Sequence, residues 1–181
     1  NQANNIQNKS LELSLLLSLP ASLALIVGSE QIVNALFGYG SFTENDIEQT
    51  SLALMYFGYG IPAFAVLKIF ANFFFARDNT MIPFKVSLIV VMINIAISVI
   101  FFKQIGFIII PIATTLSTWI GAFYYLYLLF KKGYLRIDPR FYINLVKISF
   151  STLIMSYIFH WGLNYFAKNL SYSSDYKILY L

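Results

Sequence analysis

The sequence predicts an all-α fold: a polytopic transmembrane helix bundle of about five spans. Two observations carry that prediction. Of 181 residues, 59% are hydrophobic and only 11% are charged, where soluble domains carry roughly 25% charged residues. The apolar residues fall into five runs, about 11–37, 50–76, 83–102, 105–130 and 141–166, each long enough to cross a bilayer and separated by short polar corners. The chain has no cysteine and one histidine. Disulfides and thiolate metal sites are excluded, and histidine-based catalysis has almost no material to work with.

Residues 1–10 form a polar start that lacks the order of a signal peptide. The chain begins on Asn1 and reads as part of something longer. The first run, 11–37, carries Pro20 and reaches its length only by continuing past Gly28-Ser29-Glu30. Glu30 has two readings, an interfacial carboxylate or a residue of a transport path. In the next loop, Thr43 with Asp46 three residues on has the spacing of a capping box, and acids there suit a helix start.

The second run, 50–76, organises the chain. Gly58, Pro62, Ala65, Ile69, Asn72 and Ala76 recur at helical spacing and give a mostly small face on which another helix could pack closely. Phe64, Leu67, Phe74 and Phe75 make the opposite side bulky. Lys68 lies inside the run. It either reaches toward the nearer interface or a neighbouring helix, or faces an internal cavity and an anionic substrate.

Pro83 opens the third run at a position where proline costs no hydrogen bond. Ser87, Asn94 and Ser98 share one face of that run. Lys103-Gln104 is a very short turn, so the fourth run should lie antiparallel to the third. It carries its own polar face of Thr114, Ser117, Thr118 and Gly121. Interhelical hydrogen bonding explains both faces; an ion or substrate site at Asn94 and Thr114 is the sharper alternative. A basic loop follows, from Lys131-Lys132 to Arg140, and suits topology or anionic headgroups. His160 and Trp161 near the end of the fifth run fit an interfacial anchor, and 167–181 reads as a polar tail with the start of a further span.

With five spans, Lys9, Arg77, Lys85, Lys131, Lys132, Arg136, Arg140 and Lys147 fall on one side, and Lys103, Lys168 and Lys177 on the other. The more basic side, and with it the N-terminus, is expected in the cytoplasm. No paired intramembrane carboxylates, no Ser–His arrangement and no phosphate-cradling loop are present, so the chain is not expected to be an enzyme. No nucleic-acid partner is expected.

Several strings together resemble a known family. They are Leu19-Pro20-Ala21, then Leu36-Phe37-Gly38 with Gly40 and Phe42-Thr43, then Lys68, Ala71 and Phe74-Phe75-Ala76-Arg77-Asp78 followed by Pro83, then Asn94, then Ala113-Thr114 with Leu116 and Trp119. The pattern is similar to the MurJ (MviN) lipid II flippases, within the superfamily of multidrug, oligosaccharidyl-lipid and polysaccharide exporters. The resemblance covers nearly the whole chain. It implies spans nine to thirteen of a fourteen-span protein of the bacterial inner membrane, part of a two-lobe exporter fold, which moves lipid-linked peptidoglycan precursor from the inner to the outer leaflet by alternating access of the lobes during cell wall synthesis. The implied partners are membrane lipids, the lipid-linked precursor and the N-terminal lobe of the same protein. A polysaccharide or drug exporter of the same superfamily, or an inactive membrane remnant, is the alternative.

The implied substrate-contacting residues are Lys68, Asn72 and Arg77, with no catalytic residues. Asn72 stands where the family has proline, and Ile82 where it has threonine. No cofactor is expected beyond a sodium ion. The resemblance places that ion at Asn94 and Thr114, but Ser98 stands where the family's aspartate would supply a hard anionic ligand.

Overall fold

A computed structural model describes residues 2–170 as five long helices joined by short turns. They are α1 (Gln2–Phe37), α2 (Glu44–Phe75), α3 (Met81–Ile105), α4 (Ile109–Lys131) and α5 (Pro139–Leu170). The polar tail and truncated span expected at 167–181 lie, beyond Leu170, outside the described residues. By hydropathy alone, residues 81–131 read as one apolar stretch of 51 residues. Gly106, at φ +74°, turns that stretch back on itself through a 3₁₀ turn at Gly106–Ile108. A backbone angle of that sign favours glycine, and α3 and α4 become the expected antiparallel hairpin. Among the described residues four stretches are long and apolar enough to cross a membrane, the third of them folded into this hairpin, and the chain is a membrane protein.

Local chemistry explains where the helices start and stop. Thr43 caps α2: its hydroxyl accepts from Asp46 N, and Asp46 Oδ2 accepts from Thr43 N at 2.9 Å, the expected reciprocal box. Asp78 takes a left-handed conformation (φ 54°) just past α2, and Asn79 N returns to Phe74 O at 3.1 Å. Asn79 Oδ1 then accepts from Ile82 N, starting α3 with Pro83 in its first turn. Asp138 Oδ1 accepts from Arg140 N at 2.8 Å, with Pro139 at the first position of α5.

The helices are neighbours in the order α5, α1, α2, α4, α3. They form a layer whose outer faces stay open to lipid or to other protein; Val99, Val146 and Tyr157 are exposed on them. The main core is at one end, where Leu11, Phe70, Phe73, Phe74, Val86, Tyr125, Leu129, Leu135 and Phe141 pack together.

Two expectations need correcting. Residues 2–10 are not a separate polar start; they are the first turns of α1, held by the loop before α5 (below). The small face of α2 is real only in its first half. Gly58 and Pro62 are buried there, but Asn72 and Ala76 are exposed, whereas the bulky Phe74 is 0% exposed. The reason is that α2 changes partners along its length. Near Gly58 it lies against Ser22 and Ile26 of α1 so closely that a methyl group would meet Ile26 Cγ1 at 3.0 Å. Near its end it meets Tyr125 and Leu129 of α4, where large rings fill a wider gap.

Proline placement sets the middle of the layer. Pro62 has no N–H for the carbonyl four residues back, that of Gly58. The Ser22 hydroxyl supplies that bond at 2.7 Å. Thr115 Oγ1 donates to Tyr56 O and Trp119 Nε1 to Tyr59 O, so α4 serves neighbouring carbonyls of the same turn. In lipid every such group needs a partner. On α4, Gly121 admits Val90 of α3 and Leu67 of α2; a methyl group there would meet Val90 Cγ2 at 2.4 Å.

Candidate functional site

The exposed side of α2 is a row of Phe57, Phe64, Lys68, Asn72 and Phe75. Lys68 and Asn72 are one helical turn apart on it, so the structure brings two of the three expected contacts together. Neither side chain has a hydrogen-bond or ion-pair partner among the described residues. An ammonium group on an apolar helix needs water, an interface or an anion. Chemically the row offers one cation and one amide to a ligand or to protein lying against α2.

Arg77 is not in that row. Its guanidinium turns into the buried end of the layer, 4.5 Å from the Tyr134 ring centre. Nη1 donates to Phe73 O at 2.6 Å and Nη2 to Tyr134 O at 3.1 Å. With the Gln7 amide oxygen turned toward it, both nitrogens also donate to Gln7 at 3.1 Å, and the Gln7 nitrogen donates to Tyr134 O at 3.0 Å. One turn of α1 away, Asn8 Nδ2 donates to Arg136 O at 2.8 Å, and Asn8 Oδ1 accepts from Asp138 N at 3.2 Å. Asn144 Nδ2 of α5 donates to Glu12 Oε1 at 3.1 Å. This knot ties α1, the end of α2 and the 132–138 loop together. Sequence reasoning missed it, because Gln7 and Asn8 look like ordinary polar residues until the loop 128 residues away meets them. The planar fork of Arg77 can reach all of these acceptors at once, and its donors are spent on carbonyl groups of the protein.

Asn94, Ser98 and Thr114 do come together across α3 and α4. Asn94 Nδ2 donates to Thr114 Oγ1 at 2.9 Å, Thr114 Oγ1 donates to Ile110 O at 2.8 Å, and Ser98 Oγ lies 3.5 Å from Asn94 Oδ1. This arrangement does not fit a sodium ion. The Thr114 oxygen already accepts an amide N–H and donates its own proton, and all three side chains are neutral. Among the described residues, no group of three His, Cys, Asp or Glu side chains is placed to hold a metal. As it stands, the cluster joins α3 to α4 through the Asn94–Thr114 hydrogen bond. His160 Nε2 lies 3.0 Å from Asn164 Nδ2, and Trp161 stacks on Tyr165, a ring arrangement suited to a membrane interface.

A model of the family described as lipid II flippase MurJ matches residues 1–181. A probable lipid II flippase MurJ of Rhizobium meliloti (strain 1021) is 31% identical over 94% of this chain and 32% of its own length. One of Rhizobium tropici is 34% identical over 74% of this chain and 25% of its own length. A solved structure of lipid II flippase MurJ in an inward closed conformation superposes with a TM-score of 0.75, at 29% identity, over 86% of this chain and 32% of that one. The chain thus spans a quarter to a third of the length of these relatives. A family match over the whole chain, with a fold match over 86% of it, shows that the chain belongs to the MurJ lipid II flippase family.

Proposed function

We propose that this chain is the five-helix C-terminal portion of a lipid II flippase and works with the remaining, N-terminal part of such a protein. It carries a lipid-linked peptidoglycan precursor across the bacterial inner membrane by alternating access. The observation that carries this reading is the sequence match to a flippase over 94% of the chain. A flippase moves its substrate without transforming it.

In this reading the Lys68–Asn72 row faces the space between the two lobes. Lys68 supplies positive charge for an anionic headgroup, and Asn72 supplies an amide one turn closer to the end of α2. Arg77 acts behind them by fixing the end of the helix. The N-terminus lies in the cytoplasm. Supporting this, the knot gathers Arg77, Lys131, Lys132, Arg136 and Arg140 at one end of the layer, while Glu44, Asp46 and Glu48 lie at the other.

The test is a chimera in which residues 1–181 replace the matching third of the Rhizobium meliloti relative. Movement of fluorescent lipid II is then followed in proteoliposomes. The chimera is expected to transport at a rate within about tenfold of the parent, and Lys68→Gln within it to lose about tenfold more. An inserted, monodisperse chimera that moves no lipid II would overturn the proposal.

A further inference from the structure

Both helices of the α1–α2 hairpin carry a proline, Pro20 and Pro62. Ser22 reaches Gly58 O at 2.7 Å, and Leu11 packs in one cluster with Phe70. The helices thus run antiparallel, with Pro20 and Pro62 within about one turn of the same level. Each proline removes an N–H from its helix and is a common place for a kink. Two such breaks side by side divide the hairpin. On one side is a base, residues 2–19 and 63–75, tied down by the knot and the Phe74 core. On the other is an arm, residues 21–61, whose two limbs are joined by residues 38–43.

The polar bonds respect this division. Gly58 O is the carbonyl that Pro62 leaves without a helical donor, and its partner Ser22 is on the arm, so that bond travels with the arm. At the root of the arm an added methyl group on Gly58 would meet Ser22 O and Ile26 N at 3.4 Å, so the two limbs are in close backbone contact and move together. The arm is held to α4 by Thr115 Oγ1 on Tyr56 O at 2.7 Å and by Trp119 Nε1 on Tyr59 O at 3.1 Å. Both carbonyls stand in register with helical N–H groups, those of Gly60 and Ala63, so neither is orphaned when α4 lets go. Ser18 lies one turn before Ser22 on the same face of α1, on the base side of the division. Its hydroxyl is buried and has no partner among the described residues. It bonds neither across to the arm nor to the carbonyl four residues back, as Ser51 and Thr152 do.

We propose that Pro20 and Pro62 form a paired hinge on which residues 21–61 swing as one body against the base and α4. In the state seen here Thr115 and Trp119 latch the arm, while Ser18 lies buried and unpaired. In the swung state the latch is released, and water entering at the hinge reaches the Ser18 hydroxyl. The cost of an unpaired buried hydroxyl in one state offsets the lost latch bonds in the other, so both states are populated. Phe57 rides on the arm, whereas Lys68 and Asn72 stay on the base. The swing therefore opens the exposed row of α2 at its far end and leaves its polar pair in place. The dihedral change is absorbed at a few residues, as in other hinged closures. The arm is about 25 Å long, so a proline-sized bend of about 20° carries its tip about 9 Å. The hinge belongs to this chain's own helices and operates whatever the chain carries.

The experiment is measurement of distances between pairs of spin labels on the full chain in nanodiscs. The chain has no cysteine, so a pair of introduced cysteines is labelled alone. Tyr39→Cys with Phe107→Cys spans the arm tip and the turn before α4, and Ile6→Cys with Phe130→Cys spans the base; all four residues are exposed. Two populations about 9 Å apart are expected for the first pair, and one for the second. Pro20→Ala together with Pro62→Ala should merge the two into one. Thr115→Val removes a latch bond and should raise the swung population about fivefold, whereas Ser18→Ala removes the unpaired hydroxyl and should lower it about fivefold. Three results overturn the proposal: a single distance for the first pair, two populations that survive loss of both prolines, or Thr115→Val and Ser18→Ala shifting the population the same way. The first needs only labels on exposed residues, so the outcome does not depend on the helix variants folding.

Discussion

At one end of the α1–α2 pair, Leu11 meets Phe70, Phe73 and Phe74, and Gln7 and Asn8 close over Arg77 and the 132–138 loop. At the other end the same two helices face each other across open space, lined by Ser29, Glu30, Asn34, Glu44 and Glu48. Between the two lies Pro62, with the Gly58 carbonyl handed to Ser22. One pair of helices is thus tightly packed at one end and loosely at the other. The packed end has large rings and satisfied polar groups; the open end has few buried apolar contacts, and local opening begins where those are sparse. The knot fixes how α1, α2 and α5 set out, and any change in their separation is expected to be greatest at the acidic end.

The strongest way to break this contrast is Phe74→Ala. Phe74 is fully buried, with ring centres 5.7 Å from Tyr125 and 5.9 Å from Tyr134. Truncation leaves a cavity where α2, α4 and the loop meet and should cost about 3 kcal/mol. Reversible unfolding in mixed micelles reads this directly. Phe64→Ala, on the exposed row of the same helix, should cost well under half as much. Equal losses would show that the buried end is not the anchor.

Arg77→Ala comes next. It removes the donors to Phe73 O and to the Gln7 amide oxygen, and should cost about 2 kcal/mol for polar groups left without partners. Arg77→Lys should recover less than half of that, since an ammonium cannot span Phe73 O, Tyr134 O and Gln7 at once. Full recovery by lysine would mean that charge alone, and not the fork, matters at the knot. Hydrogen exchange should show the gain in opening at 132–138 and in the first turns of α1.

The contrast also explains what the sequence made legible. The Thr43–Asp46 cap is local chemistry, readable from two residues three apart, and the structure has it. The Asn94–Thr114 pair is readable because a two-residue polar turn forces antiparallel neighbours. The knot is different. Gln7 and Asn8 reveal nothing by spacing, because their partners are backbone carbonyls and an amide of a loop far along the chain. The small face of α2 was legible only to Pro62, since helical periodicity assumes one partner per face and α2 exchanges α1 for α4 along its length. The acidic cavity was readable only in part. Glu30 and Glu48 each look like interfacial acids, and no pattern along one helix shows that the two face each other.

Ser22→Ala sharpens the comparison at its midpoint. The variant should lose about 1 kcal/mol, the usual scale for an interhelical hydrogen bond in lipid. The informative experiment is the double-mutant cycle with Pro62→Ala. An alanine at 62 restores an N–H to the Gly58 carbonyl, so Ser22→Ala should then cost almost nothing. The coupling between the two sites should equal nearly the whole single-variant effect. Additive losses would mean that Ser22 acts through packing near Gly58 and not by completing the bond that Pro62 removes.

The smallest expected effect concerns the α3–α4 hairpin, which belongs to neither end. Asn94→Ala removes one bond to Thr114 and should cost about 0.6 kcal/mol, close to the mean for such pairs in membranes. Because Thr114 Oγ1 already donates to Ile110 O and accepts from Asn94, and the cluster holds no anionic oxygen, exchanging NaCl for KCl at constant ionic strength should leave the melting temperature unchanged. A ligand that binds only the folded state would raise it in proportion to its concentration. A sodium-specific rise that Asn94→Ala abolishes would show that the clamp opens to admit a cation. Ser98→Asp supplies the anionic oxygen that the cluster lacks and should create such a rise. The pair of variants therefore separates a clamp that has no use for sodium from a site that needs only one carboxylate to hold it.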